Sequence, residues 1–177
     1  MKKILLAVLM IPISLFCCAQ YYDDSPQLVI SSDAALLLNK PVSTTNYPGV
    51  GATAKITIPT GNFSDIVLIG SLMSFRGKEV VKGNKTVKAQ ARNLLPLLIG
   101  YRRYLNPLYN YNTWYIEPRV GLTLDGTKNR AITVGAALGY LINNKIDLSI
   151  RYQSFGGSEY AHLSFLGLNI GYGFSLH

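Results

Sequence analysis

The 177-residue chain has the length of a single domain and a formal net charge of +8, yet only 15% of its residues are charged. Soluble proteins carry about 25%, so the usual ionic surface is missing, while Gly and Tyr are abundant. No apolar run of helix length follows Phe16, which excludes a helical membrane protein; a chain this poor in charge must hide its backbone polar groups in a closed sheet if it lies in lipid.

At the start, Met1-Lys2-Lys3 precedes an apolar stretch over 4–16 broken only by Pro12 and Ser14, and Cys17-Cys18-Ala19 supplies small residues before Gln20. The stretch is shorter than the ~20 residues that cross a bilayer, so a cleaved secretory signal over 1–19 is expected. Its loss, with Lys2 and Lys3, leaves 158 residues at +6 and removes both cysteines, and with them any disulfide, thiolate metal site or cysteine nucleophile. Lipidation of Cys17 or Cys18 is the competing expectation; bulky Phe16 stands where that pathway prefers a small residue. A short lead over 20–27 and a barrel domain over 28–177 follow.

The first strand is expected over 28–38, with imperfect alternation. Val50, Ala52, Ala54, Ile56 and Ile58 oppose Gly51, Thr53, Lys55 and Thr57 in the second. Segments 65–75 and 94–103 are apolar on both faces, which interior packing explains more simply than a greasy pocket. Next, Trp114, Ile116, Val120, Leu122 and Leu124 oppose Glu117, Arg119, Gly121, Thr123 and Asp125; Ile132, Val134, Ala136, Leu138 and Tyr140 oppose Thr133, Gly135, Ala137 and Gly139. Over 145–154, Ile146, Leu148, Ile150 and Tyr152 alternate with Asp147, Ser149, Arg151 and Gln153, and over 166–176 every second residue is Leu, Ile, Tyr or Phe. A period of two means one apolar and one polar face per strand. Eight strands of ~10 residues fit the length, and an even number returns both ends to one side. Longer connections near 39–46, 76–89, 126–129 and 156–161 alternate with short ones at 59–62 and 143–144, although 105–111, with Pro107, is long for an inner turn. Pro96 and Pro118 each remove a ladder donor and leave the local register open.

A soluble lipocalin-like barrel would alternate too, with its apolar face inward. Two features select the opposite arrangement. The lumen of eight strands suits the face rich in Gly, Ser, Thr and Ala, and Tyr101, Trp114, Tyr140, Tyr172 and Phe174 fall together at one rim as an interfacial girdle. The fold class is therefore an all-β, eight-stranded antiparallel up-and-down transmembrane barrel. By parity Asp33, Lys55, Glu117, Arg119, Asp147 and Arg151 point inward, and ionised groups there must pair. A rigidifying ion-pair plug is favoured over a gated ion path.

Arg76, Lys78, Lys82, Lys85 and Lys88, against Glu79, form a basic outer loop. A solvated loop is the simpler expectation and binding of lipopolysaccharide phosphates the alternative. For catalysis, His162 beside Ser158 and Glu159 lacks an orienting scaffold, and His177 ends the sequence. Zinc-ligand spacing, phosphate-binding glycine loops and nucleic-acid motifs are all missing, so no enzyme, cofactor, metal or nucleic-acid partner is expected.

Asn93-Leu-Leu-Pro-Leu-Leu-Ile-Gly-Tyr-Arg-Arg-Tyr-Leu105, Tyr115-Ile-Glu-Pro-Arg-Val-Gly-Leu122, Gly135-Ala-Ala-Leu-Gly-Tyr140, Ile146-Asp-Leu-Ser-Ile-Arg-Tyr152 and Gly167-Leu-Asn-Ile-Gly-Tyr-Gly-Phe174 resemble the small outer-membrane β-barrel proteins of Gram-negative bacteria, the porin-like superfamily with outer-membrane proteins X, W and A. The resemblance covers nearly all of the expected mature chain. It implies an outer-membrane location, contact with lipid and lipopolysaccharide, insertion by the barrel-assembly machinery and a monomeric, non-catalytic structural, adhesive or surface-interaction role. A small porin-like barrel for solutes or an apolar ligand, or an accessory of a secretion system, is the alternative. Where family members often end on an aromatic residue, this sequence ends Phe174-Ser175-Leu176-His177.

Overall fold

The structure is a computed structural model that describes residues 25–39, 45–82, 85–106, 112–125, 130–156 and 163–176, with the backbone alone over 80–82 and 85–88. Among the described residues ten strands follow one another: β1 (Gln27–Leu37), β2 (Gly49–Gly61), β3 (Ser64–Phe75), β4 (Glu79–Lys82), β5 (Lys85–Lys88), β6 (Arg92–Tyr104), β7 (Asn112–Asp125), β8 (Arg130–Ile142), β9 (Ile146–Gly156) and β10 (Leu163–Ser175). Eight of them close antiparallel in the order β1-β10-β9-β8-β7-β6-β3-β2, and β4 and β5 form a separate two-stranded ribbon. The expected signal over 1–19 and residues 20–24 of the expected lead over 20–27 lie outside the described residues, while Gln27 already belongs to β1.

Register fixes the barrel's girth and tilt. A path perpendicular to the strands runs from Gln27 to Thr57, Val67, Gly100, Arg119, Gly135, Gln153 and Phe165 and re-enters β1 at Leu37, a stagger of ten residues. With eight strands this belongs to a narrow barrel whose strands tilt by about 40° and whose interior holds side chains rather than a wide channel. Pairing lapses opposite Pro96 and Pro118 without changing register, because Gly70↔Leu97 and Met73↔Leu94, like Gly100↔Arg119 and Arg103↔Ile116, keep one register on the two sides of each gap. The one shift among these ladders falls between Pro59 and Gly61, beside the β2–β3 turn. At the β8–β9 turn Asn143 and Asn144 have φ of 51° and 53°, the two consecutive positive values of a type I′ hairpin, for which Asn is suited.

Alternation points the apolar parity outward. Ile150 is 50% exposed, Leu148 half-buried, and Asp147 and Arg151 are enclosed. This is the arrangement of a transmembrane barrel, whose closed ladder satisfies the backbone while aliphatic side chains meet lipid. The doubly apolar β3 and β6 divide in the same way: Val67, Ile69 and Leu98 pack inside while Leu68, Leu72, Leu97 and Ile99 face out.

The basic segment is a correction. Instead of a loop it is a β-hairpin, with Glu79 opposite Lys88 and Lys82 opposite Lys85. Its base is tied to the chain leaving β1: the Tyr47 N–H donates to the Arg76 carbonyl at 2.8 Å and the Lys78 N–H to the Thr45 carbonyl at 2.7 Å. The buried Asn46 amide also donates to the Gln90 carbonyl at 3.1 Å. Alternating Lys-x-Val-Val-Lys and Lys-x-Val-Lys residues supply the β propensity that charge counting overlooks.

Candidate functional site

The lumen is filled in layers. In the central one, Lys55 from β2 donates to Asp147 at 2.9 Å and to Asn169 at 3.0 Å. Asp147 also accepts from Arg102 at 3.2 Å and from the Tyr115 hydroxyl. Glu117 is shared, one oxygen taking Arg102 Nε at 2.7 Å and the other Arg119 Nε at 2.6 Å. Arg151 reaches Asp33 at 3.0 Å, and Asp33 also accepts from Thr53 and, at 2.7 Å, from Asn169. All of these groups are buried. The six residues read as inward-facing thus lie in one connected region contributed by β1, β2, β7 and β9, where every acid has a basic partner.

Alternation in the sequence does not reveal several members of this network. Arg102 joins Glu117 to Asp147 and lies over the Tyr115 ring at 4.0 Å; outward Tyr101 implied its inward direction, but two apolar faces in β6 hid the parity. Asn169 bridges Lys55, Asp33 and Ser31. Nearer the β2–β3 turn, Tyr104 donates to Asp65. Adding Arg102 and Asp65 gives four buried acids and four buried bases among the described residues.

Toward the β4–β5 end the lumen becomes apolar. Ala35, Met73, Phe75, Leu94, Ala131, Phe155, Leu163 and Phe165 form one cluster, with ring centroids 6.0 Å apart for Phe75–Phe165 and 5.7 Å for Phe155–Phe165. It lies across the end of the barrel above Arg151, whose guanidinium faces Phe165 at 5.4 Å. Lumen and rim are therefore different in kind: paired charge in the middle, a dry plug at the hairpin end.

On the outer wall, Tyr101, Trp114, Tyr172 and Phe174 are exposed and Tyr140 is half-buried against Trp114, the two rings 4.8 Å apart. All five lie toward the end that carries the β2–β3 and β8–β9 turns. At the opposite rim Arg76 and Arg130 are exposed, and Lys78 lies 5.5 Å over the Tyr47 ring. Lys82, Lys85 and Lys88 belong to the β4–β5 backbone. Ser158, Glu159, His162 and His177 lie outside the described residues. Among those described, no group of three or more His, Cys, Asp or Glu could hold a metal ion.

The sequence matches no protein-family model and no curated protein. Solved structures do match. The chain is similar to neisserial surface protein A, with a TM-score of 0.60 and 10% identity over 85% of this chain and 97% of that one. It is similar to Ail, the attachment invasion locus protein of Yersinia pestis, in a crystal structure with a TM-score of 0.50 and 12% identity over 86% of this chain and 100% of that one. The backbone structure of Ail in a phospholipid bilayer nanodisc gives 0.51 and 15% over 84% and 99%. At such identities the likeness is one of fold, the closed eight-stranded barrel of outer-membrane proteins.

Proposed function

We propose that this chain is a non-catalytic integral outer-membrane protein with a structural, adhesive or surface-interaction role, exported by a signal cleaved near Ala19 and Gln20, inserted as a monomer by the barrel-assembly machinery and held in lipid and lipopolysaccharide. The observation that carries the reading is the filled lumen: a paired charge layer backed by the Phe75, Phe155 and Phe165 plug offers a poor path to solutes and leaves the hairpin-end surface as the place for contact. In this orientation the aromatic girdle marks the periplasmic interface and the basic hairpin stands outside. There Arg76, Lys78, Lys82, Lys85 and Lys88 are suited to anionic headgroups by their charge.

Membrane fractionation with heat-modifiable gel mobility tests location and fold: a chain that remains in the soluble fraction with no mobility shift would sink both. For the surface role, the barrel is reconstituted in vesicles with and without lipopolysaccharide. Changing all five basic residues to Gln should lower lipopolysaccharide binding and remove its salt dependence. Unchanged binding would reject the hairpin as the contact surface, and large reproducible conductances in planar bilayers would favour a pore over the plugged barrel.

A further inference from the structure

The lipid-facing wall is not even. Over β3, β6 and β7 it is hollowed by two open depressions that share Ile99 and Val120. One, of about 350 Å³, lies at the girdle end between Ile66, Tyr101 and Pro118. The other, of about 680 Å³, continues it toward the middle of the barrel over Ala54, Gly70, Leu97 and Leu122. The sequence accounts for both. At Gly70 an added Cβ would meet only Leu97 Cδ2, at 3.8 Å, and Ala54 is its partner across the β2–β3 ladder, so two small residues leave a notch beside the exposed Leu68 and Leu72. At the other end Pro118 brings no N–H to β6, and the ladder lapses opposite Tyr101.

Arg103 stands at the head of this groove. It shares the outward parity of Leu97, Ile99 and Tyr101 and is exposed, and register sets it between Ser64 and Ile116. Its guanidinium lies 5.3 Å over the Phe63 ring, and it has no carboxylate partner among the described residues. Among those residues it is also the one base that a strand turns outward in the girdle half of the barrel. The path along β6 from Arg103 to Leu97 covers roughly 15 Å of the barrel axis at a tilt of about 40°, which is the hydrocarbon depth of one leaflet. A cation at the polar boundary and an apolar groove one leaflet deep match the two ends of a single lipid, a phosphate and an acyl chain. A second copy of the chain fits worse, since a twofold axis on this wall would bring two Arg103 side chains together with no outward acid on the described strands between them.

We infer that the β3–β6–β7 wall seats one anionic glycerophospholipid, its phosphate on Arg103 and one acyl chain along the groove to Gly70. The inference rests on the outer-membrane reading, in which the girdle end faces the periplasmic leaflet. The planar guanidinium takes two phosphate oxygens at once, which fixes the headgroup while the chain fills the depression below it.

Trp114, the single tryptophan, reports on this place: it faces lipid two positions from Ile116, the residue opposite Arg103. The full chain is refolded into phosphatidylcholine vesicles holding a small share of either phosphatidylglycerol or phosphatidylcholine brominated on the upper carbons of its chains, and heat-modifiable gel mobility checks folding. Quenching of Trp114 should show a preference of about fivefold for brominated phosphatidylglycerol, the worth of one basic residue at an anionic surface. Arg103→Gln should bring the ratio to parity. Gly70→Leu, which fills the groove and leaves the guanidinium in place, should lower it as well. A folded wild type without the preference, a preference that survives Arg103→Gln, or one untouched by Gly70→Leu, the mark of an ordinary interfacial arginine with no seat for a chain, would each overturn the proposal while the barrel reading stands. Trp114 shielded from both brominated lipids, in a species with the mass of two chains, would overturn it in favour of self-association. A chain that takes no heat-modifiable form in either lipid would overturn the outer-membrane reading and the proposal with it.

Discussion

Asp147→Asn isolates the worth of charge in the lumen. The substitution preserves shape and one acceptor but removes the negative charge that Lys55 meets at 2.9 Å and Arg102 at 3.2 Å. Arg102 retains Glu117 at 2.7 Å, whereas Lys55 is left with the neutral Asn169 oxygen at 3.0 Å. Most of the cost therefore falls on a fully enclosed ammonium, and removing one partner of such a pair costs about 3–5 kcal/mol. That is a rise of roughly 10²- to 10⁴-fold in the unfolding constant. Urea unfolding of the refolded barrel in micelles, followed by the emission of the single, lipid-facing Trp114, should show the midpoint fall at unchanged slope. Lys55→Met in the Asp147→Asn background should recover much of the loss, so the double-mutant cycle is strongly non-additive. A loss below about 0.5 kcal/mol, the range of exposed surface changes such as Arg130→Gln, or strict additivity, would refute the view that these charges are mutually dependent.

Gly139→Ala tests the space beside Tyr115: the new Cβ would fall 2.1 Å from that ring's Cζ, forcing the hydroxyl off Asp147 and costing about 1–3 kcal/mol in the same urea assay. Ile150→Arg places a cation on the lipid face between the two rims and should cost about 2–4 kcal/mol in bilayers; an effect no larger than that of Arg130→Gln would contradict the outward direction of this parity. At the β8–β9 turn, Asn144→Gly should be neutral or slightly stabilising and Asn144→Val should cost about 1–2 kcal/mol, because φ is 53° there; equal midpoints for the two would argue against the type I′ turn.

The barrel was readable because lipid and a narrow lumen impose opposite demands on successive residues. In β9 and β10 the demands are met without exception, from Ile146 to Gln153 and from Leu166 to Phe174. In β6 they were obscured, since Leu94 and Leu98 are inside while Leu97 and Ile99 are outside, and an alternation of like with like carries no signal. Arg102 was lost for that reason. The plug was hidden differently. Phe155 and Phe165 lie on the consecutive, paired strands β9 and β10, but Phe75 comes from β3, an alternation of like with like far earlier in the sequence, and joins them across the lumen only once the barrel closes. Small lumenal residues were recognised as a consequence of girth, yet their placement is more specific. Gly139 lies against Tyr115, Gly135 against Gln153, Gly167 against Arg151 and Gly100 against Glu117 and Arg119, each making room for one long side chain whose partner no single strand reveals.

An ionic lumen also answers a question that stability alone leaves open. Well-packed apolar residues would fill the same space as firmly as buried ion pairs do, but a barrel apolar on both faces would have little to distinguish one strand register from the next. A slip by one residue exchanges the faces of a strand. In β9 it would turn Asp147 and Arg151 toward lipid and draw Leu148 and Ile150 inside, and an Arg near the bilayer midplane alone costs about 2–4 kcal/mol. In β7 the same slip would expose Glu117 and Arg119 and strand Arg102 within. Strands β3 and β6 lack this protection along most of their length, and there the register is carried by Asp65 opposite Arg102 at one end and by Met73 and Leu94 in the plug at the other. The charges thus act as much on which barrel forms as on how stable it is, and they are placed where the apolar pattern would tolerate a shift.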